Sequence, residues 1–308
     1  MSLNTFNPQI WADTLLPNLR ANLVYGNLFN SDYEGLIANK GDTVRINAIG
    51  DIKISAYSKD TDLAAAQSLT DAGTMLTISQ AEYYNFAIDD VDAAQSQPKV
   101  MGEAMAWAAY ELANTMDTYY AGFYADASNN IGSSGSAITP TVATATSTGV
   151  GSGTTFYDYL VVMSQKMTEN KVPKQGRWCT IMPWGTTLLM QDIRFTSFNT
   201  PEARFSIMSN KLDASGGSVG DAYLGKVAGM DLYESINAPH LSGTVGTTGS
   251  TDVALAGHTM ALTKAEGLNK VEAYRPPLRF GDAVKGLALY GAKTLRPNAI
   301  VAGYFTHP

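Results

Sequence analysis

Residues 97–127, QPKVMGEAMAWAAYELANTMDTYYAGFYADA, are the most strongly patterned stretch of the chain, and they limit what the rest can pack against. Met101, Met105, Ala108, Leu112, Met116, Tyr119 and Phe123 recur at steps of three and four, which predicts a helix with one apolar face. Pro98 suits a first helical turn, with Ser96 or Gln97 before it as a cap. At about 1.5 Å per residue, a helix of roughly 28 residues is about 42 Å long, against a usual length of about 11 or 12 residues. Such an element is a spine. Glu103, Glu111, Asn114 and Asp117 interrupt its apolar run, which argues against a membrane span of about 20 mostly apolar residues. An acidic side chain at Met105 or Leu112 is therefore expected to prevent folding, because burying an unpaired charge costs several kcal/mol.

A spine of this length needs a body to support it. The 308 residues supply two or three domains, or one large domain with insertions. A hydrophobic fraction of 45% with only 16% charged residues predicts a folded chain whose surface is short of charge, as in a protein that covers itself with its own copies. Net charge is −7 with no basic run, which argues against a dedicated nucleic-acid groove. The single cysteine, Cys179, lies in the apolar run 178–182 and is expected to be a buried, unreactive thiol. The opening MSLNTFNPQIW has neither a basic start nor an apolar core region, so a secretory signal is not expected and a cytoplasmic origin is.

Before the spine, residues 1–40 mix apolar groups with turn residues, and Pro17 breaks any helix there, which predicts an arm. Val44, Ile46, Ile52 and Ile54 then alternate with polar residues, as do Leu76, Ile78, Tyr84, Phe86 and Ile88 in the run 74–88. Two long strands joined by the polar tip 57–73 predict a β-hairpin, which is marginal in water unless it packs on something else. After the spine, 128–154 is rich in Gly, Ser and Thr and predicts a surface excursion. Phe156, Leu160, Met163 and Met167 predict a helix over 156–171, closed by Pro173. A buried strand over 178–183, a short helix over 184–192 and a loop over 203–223 follow. Strands are expected at 227–236, 253–263, 269–274, 286–294 and 301–305.

Chemical motifs are sparse. His240, His258 and His307 do not pair with one another or with the cysteine at metal-ligand spacing. Asp89, Asp90 and Asp92 are an acidic group best read as favouring the positive end of the spine. Gly216-Gly217-Ser218-Val219-Gly220 matches the G-x-S-x-G pattern, but the buried strand and following helix of a nucleophile elbow are not visible around Ser218. Neither 149–153 nor Gly225-Lys226 completes a phosphate-binding motif, and no cofactor is expected.

The opening 6–12, FNPQIWA, the run 40–44, KGDTV, the long strand pair, 86–90, FAIDD, and a spine carrying Ala108, Ala109 and Asp117 resemble a tailed-bacteriophage major capsid (coat) protein. The resemblance is best over about the first 125 residues. It implies the α+β Hong Kong 97 phage capsid fold: an N-terminal arm (1–40), an extended β-hairpin loop leading into a peripheral domain (41–90), a spine and Gly/Ser/Thr-rich excursion (91–154), an axial domain (155–268), and C-terminal strands returning to the peripheral domain (269–308). It implies a non-enzymatic structural protein whose pentamers and hexamers assemble, in the cytoplasm of the host bacterium, into the icosahedral head of a phage or prophage. Lys53, Tyr57, Lys59, Asp60 and Asp62 are the inter-subunit contact residues that this reading puts in the hairpin. Its partners would be a separate scaffolding protein, since no long charged helical segment precedes the arm, a portal, and packaged DNA in non-specific contact, with no membrane. An encapsulin-type nanocompartment shell shares the fold, and a serine hydrolase using Ser218 is the reading from another class.

Overall fold

The computed structural model describes residues 23–32, 43–49, 52, 54, 56, 59, 62, 65, 71–89, 100–141, 155–192, 222–244, 246–267, 270–278 and 280–308. Along these residues run α1 (Tyr25–Leu28), β1 (Thr43–Ile49), β2 (Asp71–Thr77), β3 (Gln80–Asp89), the spine α2 (Val100–Ala121), β4 (Asn129–Ile131), α3 (Phe156–Glu169), β5 (Arg177–Ile181) and α4 (Pro183–Gln191). Then follow β6 (Tyr223–Val227), β7 (Met230–Glu234), β8 (His240–Ser242), β9 (Thr251–His258), β10 (Leu262–Glu266), β11 (Lys270–Tyr274), β12 (Gly281–Thr294) and β13 (Ile300–Thr306). No described helix is long and apolar enough to cross a membrane.

β1 and β2 form the expected antiparallel hairpin, from Thr43 opposite Thr77 to Ile49 opposite Asp71. The run 74–88, expected as one strand, divides at Ile78 and Ser79: β2 stays in the hairpin while β3 pairs along β12. Ile78 is buried against Leu76, Ala265 and Leu289, which anchors the crossing point. A Cβ on Gly291 would strike the Thr77 carbonyl, so the hairpin can lie this close to β12 only over a glycine. β12 is the backbone of a four-stranded sheet, with β3 on one edge and β11 and β10 in succession on the other.

The second sheet runs β4-β13-β9-β5-β7-β6, with β8 on β9. β5 and β9 are buried along their whole lengths because both faces of this sheet are covered. On one face lie Phe156, Leu160, Met163 and Met167 of α3, packed with Cys179, Ile181, Leu232 and Phe305. On the other face Tyr25, Leu28 and Phe29 join Tyr120 and Ala121 of the spine against Trp178, Leu255 and Ile300. The Thr155 hydroxyl caps α3 by accepting from the Asp158 N–H (3.3 Å). Arg177, buried beneath the far end, donates to the Pro173 and Val172 carbonyls (2.9 and 2.6 Å), the Ser164 carbonyl and the Thr168 hydroxyl (both 3.0 Å). A guanidinium thus closes the negative end of the helix.

Several expectations are corrected by this topology. The Gly/Ser/Thr-rich stretch begins as sheet: β4 pairs parallel with β13, and Ile138 bridges Phe305; residues 142–154 lie outside the described residues. β6 lies between the expected loop over 203–223 and the expected strand at 227–236, and forms a hairpin with β7 through Ala228 (φ 50°) and Gly229 (φ 80°), the left-handed pair that a two-residue turn demands. The expected strand over 253–263 is two, β9 and β10, turned at 259–261, and β10 joins the four-stranded sheet although 155–268 was expected to be one axial unit. β11 and β12 belong to that sheet, whereas β13 pairs with β9 and β4.

The spine is corrected in register. Its buried positions are Asp117, Tyr120 and Ala121, with Met116, Tyr119 and Phe123 packed against them, whereas Met105 is 38% exposed. Burial is concentrated in the C-terminal third; farther up the apolar stripe, Ala108 and Leu112 are half-buried and Met105 is exposed. The expected cap at Ser96 to Pro98 lies outside the described residues.

Candidate assembly surfaces

The hairpin reaches away from both sheets. Val44, Ile46 and Leu76 hold its base to Ile78, Ala265 and Leu289. Farther out, Ile52 and Ile54 are 70% and 94% exposed, and Met75 stands bare on the opposite face. Lys59 and Asp62, two of the expected contact residues, are exposed near the tip. Lys53, Tyr57 and Asp60 lie outside the described residues.

A second apolar projection was not foreseen. Between β11 and β12, Pro276 and Pro277 stiffen a turn that carries Leu278 and Phe280, 94% and 83% exposed. The sequence signal was available as RPPLRF, two prolines followed by large apolar groups between strands. Nearby, the open face of the four-stranded sheet carries Tyr83 opposite Leu287, both exposed, beside a Lys270–Glu272–Lys285 cluster with N–O distances of 2.5 and 3.0 Å. Hydrogen bonds from Lys270 and Lys285 hold the Glu272 carboxyl down to about 2. These charges sit in water and contribute little to stability; they can orient a docking surface.

Asp117 ties the spine to two neighbouring elements. Its Oδ1 accepts from the Gly26 N–H (3.2 Å), and its Oδ2 from the Asn237 amide (3.1 Å), which also donates to Asn114 Oδ1 (2.8 Å). Burial raises its pKa, while the Asn237 amide and the backbone N–H groups of residues 24–26 oppose the rise. The carboxylate thus stitches the spine to α1 and to the β7–β8 connection.

His240 forms a second polar knot. Nδ1 lies 2.6 Å from Asp252 Oδ1 and Nε2 lies 3.0 Å from the Gly243 carbonyl, while the Trp184 indole donates to Asp252 Oδ2 (2.6 Å). Both neighbours of the imidazole accept, so only the doubly protonated ring can donate to each. The Asp252 contact, then the Gly243 carbonyl, raises the histidine pKa above its ordinary 6.5. The resulting stability is complete below 6.5 and is lost as pH rises through the raised folded-state value. The thermal midpoint is expected to fall across that window, and His240→Gln to flatten the slope; equal slopes in the two proteins would refute the assignment.

Elsewhere the chemistry is quiet. Cys179 is buried and its thiol is pushed up to about 12 by burial. His258 bonds backbone groups, and His307 stacks on Trp184 at 5.0 Å. Asp89 ends β3 opposite Gly281; Asp90, Asp92 and Ser218 lie outside the described residues. Among the described residues, no group of three or more His, Cys, Asp or Glu side chains could hold a metal.

This architecture, a spine crossing between two sheets with a hairpin projecting from one of them, is the α+β Hong Kong 97 phage capsid fold expected from the sequence. Solved structures share it from end to end. The chain is similar to a structure from Mycobacterium phage Che8, at 23% identity and a TM-score of 0.73, over 99% of this chain and 98% of that one. It is also similar to the capsid structure of the cyanophage P-SCSP1u, at 19% identity and a TM-score of 0.71, over 100% and 95% of the two chains. The mature capsid of bacteriophage PhiM1 matches at 16% identity and a TM-score of 0.66, over 98% and 93%. No protein-family model and no curated protein matches the sequence.

Proposed function

We propose that this chain is a major capsid protein, a structural subunit that builds the icosahedral head of a tailed bacteriophage through pentamers and hexamers. The observation that carries the reading is the end-to-end fold similarity to phage capsid structures. The bare side chains support it. Ile52, Ile54, Leu278 and Phe280 occupy two projections that their own subunit cannot cover, and a lattice of copies supplies the cover.

In this reading 1–40 is the arm, the β1–β2 hairpin the extended loop, and the spine with the four-stranded sheet the peripheral domain. The seven-stranded sheet with α3 and α4 is the axial domain around which rings close. Lys53, Tyr57, Lys59, Asp60 and Asp62 set hairpin register against the neighbouring subunit through rim contacts of about 0 to 1 kcal/mol each. A separate scaffolding protein and a portal complete assembly in the host cytoplasm, and the shell encloses DNA that it touches without sequence preference. The role is structural, not enzymatic.

Negative-stain electron microscopy of the purified protein, alone and co-expressed with a scaffolding partner, tests the reading. Rings or closed shells are expected. A monodisperse compact monomer at high concentration under both conditions would refute it.

A further inference from the structure

Away from the two projections, a cavity of about 480 Å³ opens where three turns meet: the end of α3 at 170–173, the β9–β10 turn at 258–260, and the β12–β13 connection at 295–299. Its charged lining is Lys171 and Arg296, with the amides of Asn170 and Asn298 beside them and no carboxylate among the lining residues. That is unexpected in a chain of net charge −7. Both cations are exposed, and neither has an ion-pair partner among the described residues. His258 shapes the wall, with Nδ1 accepting from the Met260 N–H (3.1 Å) and Nε2 2.8 Å from the Gln175 carbonyl.

The backbone at Lys171 adds an independent observation. α3 ends with the Val172 N–H donating to the Met167 carbonyl and the Lys171 N–H to the Thr168 carbonyl, both at 3.0 Å, with Lys171 itself at φ 59°. This closing turn favours glycine, because a Cβ crowds the backbone in the left-handed region. The chain nevertheless carries lysine there. A cation at a helix C-terminus meets favourable charge, but that local effect does not account for Arg296, which reaches the same cavity from another element.

We propose that Lys171 and Arg296 form a two-pronged seat for a phosphate oxyanion, and that its ligand is the phosphodiester backbone of duplex DNA. The inference rests on the reading of the chain as a shell around DNA. A guanidinium fork and an ammonium point charge together match phosphate oxygens, and an open cavity without base-reading groups binds independently of sequence.

The test uses unassembled full-length subunits and a fluorescent duplex, with affinity read by anisotropy over a range of salt. Lys171→Gly and Arg296→Gln are each expected to weaken binding. Their combination should reduce the slope of log affinity against log salt by about 0.9, the value for the one duplex phosphate that the seat holds. Lys171→Gly should keep or raise the thermal midpoint, which separates loss of the seat from loss of the fold. Unchanged DNA affinity and salt slope in the double variant would overturn the proposal. So would stabilisation by inorganic phosphate without duplex binding, which points to the free ion. Wild-type protein co-expressed with a scaffolding partner is scored separately for shells by electron microscopy: their absence would refute the capsid reading, whereas shells with no DNA binding by the subunits would refute the seat alone.

Discussion

A chain lacking residues 60–67, rejoined by a short turn, is expected to fold normally and to form no closed shells. The hairpin's base carries its intramolecular contacts, through Val44, Ile46 and Leu76 against Ala265 and Leu289, and the deletion leaves these in place. What it removes follows in sequence Ile52 and Ile54, which are 70% and 94% exposed. Burying each isoleucine against a neighbour contributes about 1.5–3 kcal/mol, and a shell multiplies that contact by its number of subunits. Misplacing the arm therefore weakens every junction at once. Circular dichroism is expected to match the parent while electron microscopy shows only rings or free subunits. Normal shells would make the tip dispensable, and a lost dichroism signal would assign it to the subunit's own core.

Tyr120→Ala is expected to cost about 3–5 kcal/mol, whereas Met105→Ala, on the same helix, stays within about 0.5 kcal/mol. Tyr120 is 1% exposed, and its ring lies 5.2 Å from Phe29 and 6.2 Å from Tyr290. It stands where α1, the spine and both sheets converge, so its loss opens a cavity that no single element can collapse to fill. Met105 lies on the uncovered part of the spine. Urea midpoints of the unassembled variants measure the difference. Equal losses would mean that the spine is held along its whole length.

That contrast shows how far the sequence could be read. α3 was fully legible: Phe156, Leu160, Met163 and Met167 are the side chains it buries, because its opposite face is polar enough for the period to be unambiguous. The spine's existence was legible and its buried face was not. Ala, Trp, Tyr and Met occur all around residues 104–113, so a stripe at steps of three and four can be drawn along more than one face. The interior residue that identifies the true face is Asp117, an acid that sequence reading assigns to solvent. Its hydrogen bonds come from Gly26 in α1, before the hairpin, and Asn237 in the β7–β8 connection, far apart in sequence. β4 was missed because Asn129 and Asn130 have no strand character of their own and take it from β13. Of the assembly surfaces, the hairpin was visible as alternation, while the His240 knot depends on contacts with Asp252 and Trp184 that only the fold creates.

β13 has a consequence for the order of events in the cell. Synthesis makes it after every other strand of its sheet, yet it sits between β4 and β9. At that seam the Asn129 amide donates to the Asn298 carbonyl across 169 residues of sequence. Pairings at such separation form late, because loop closure must come before any contact can repay it. A chain still being translated therefore has its hairpin outside the ribosome but an unclosed sheet behind it. Completion of the seven-stranded sheet waits for β13, which closes the gap between two strands made before it.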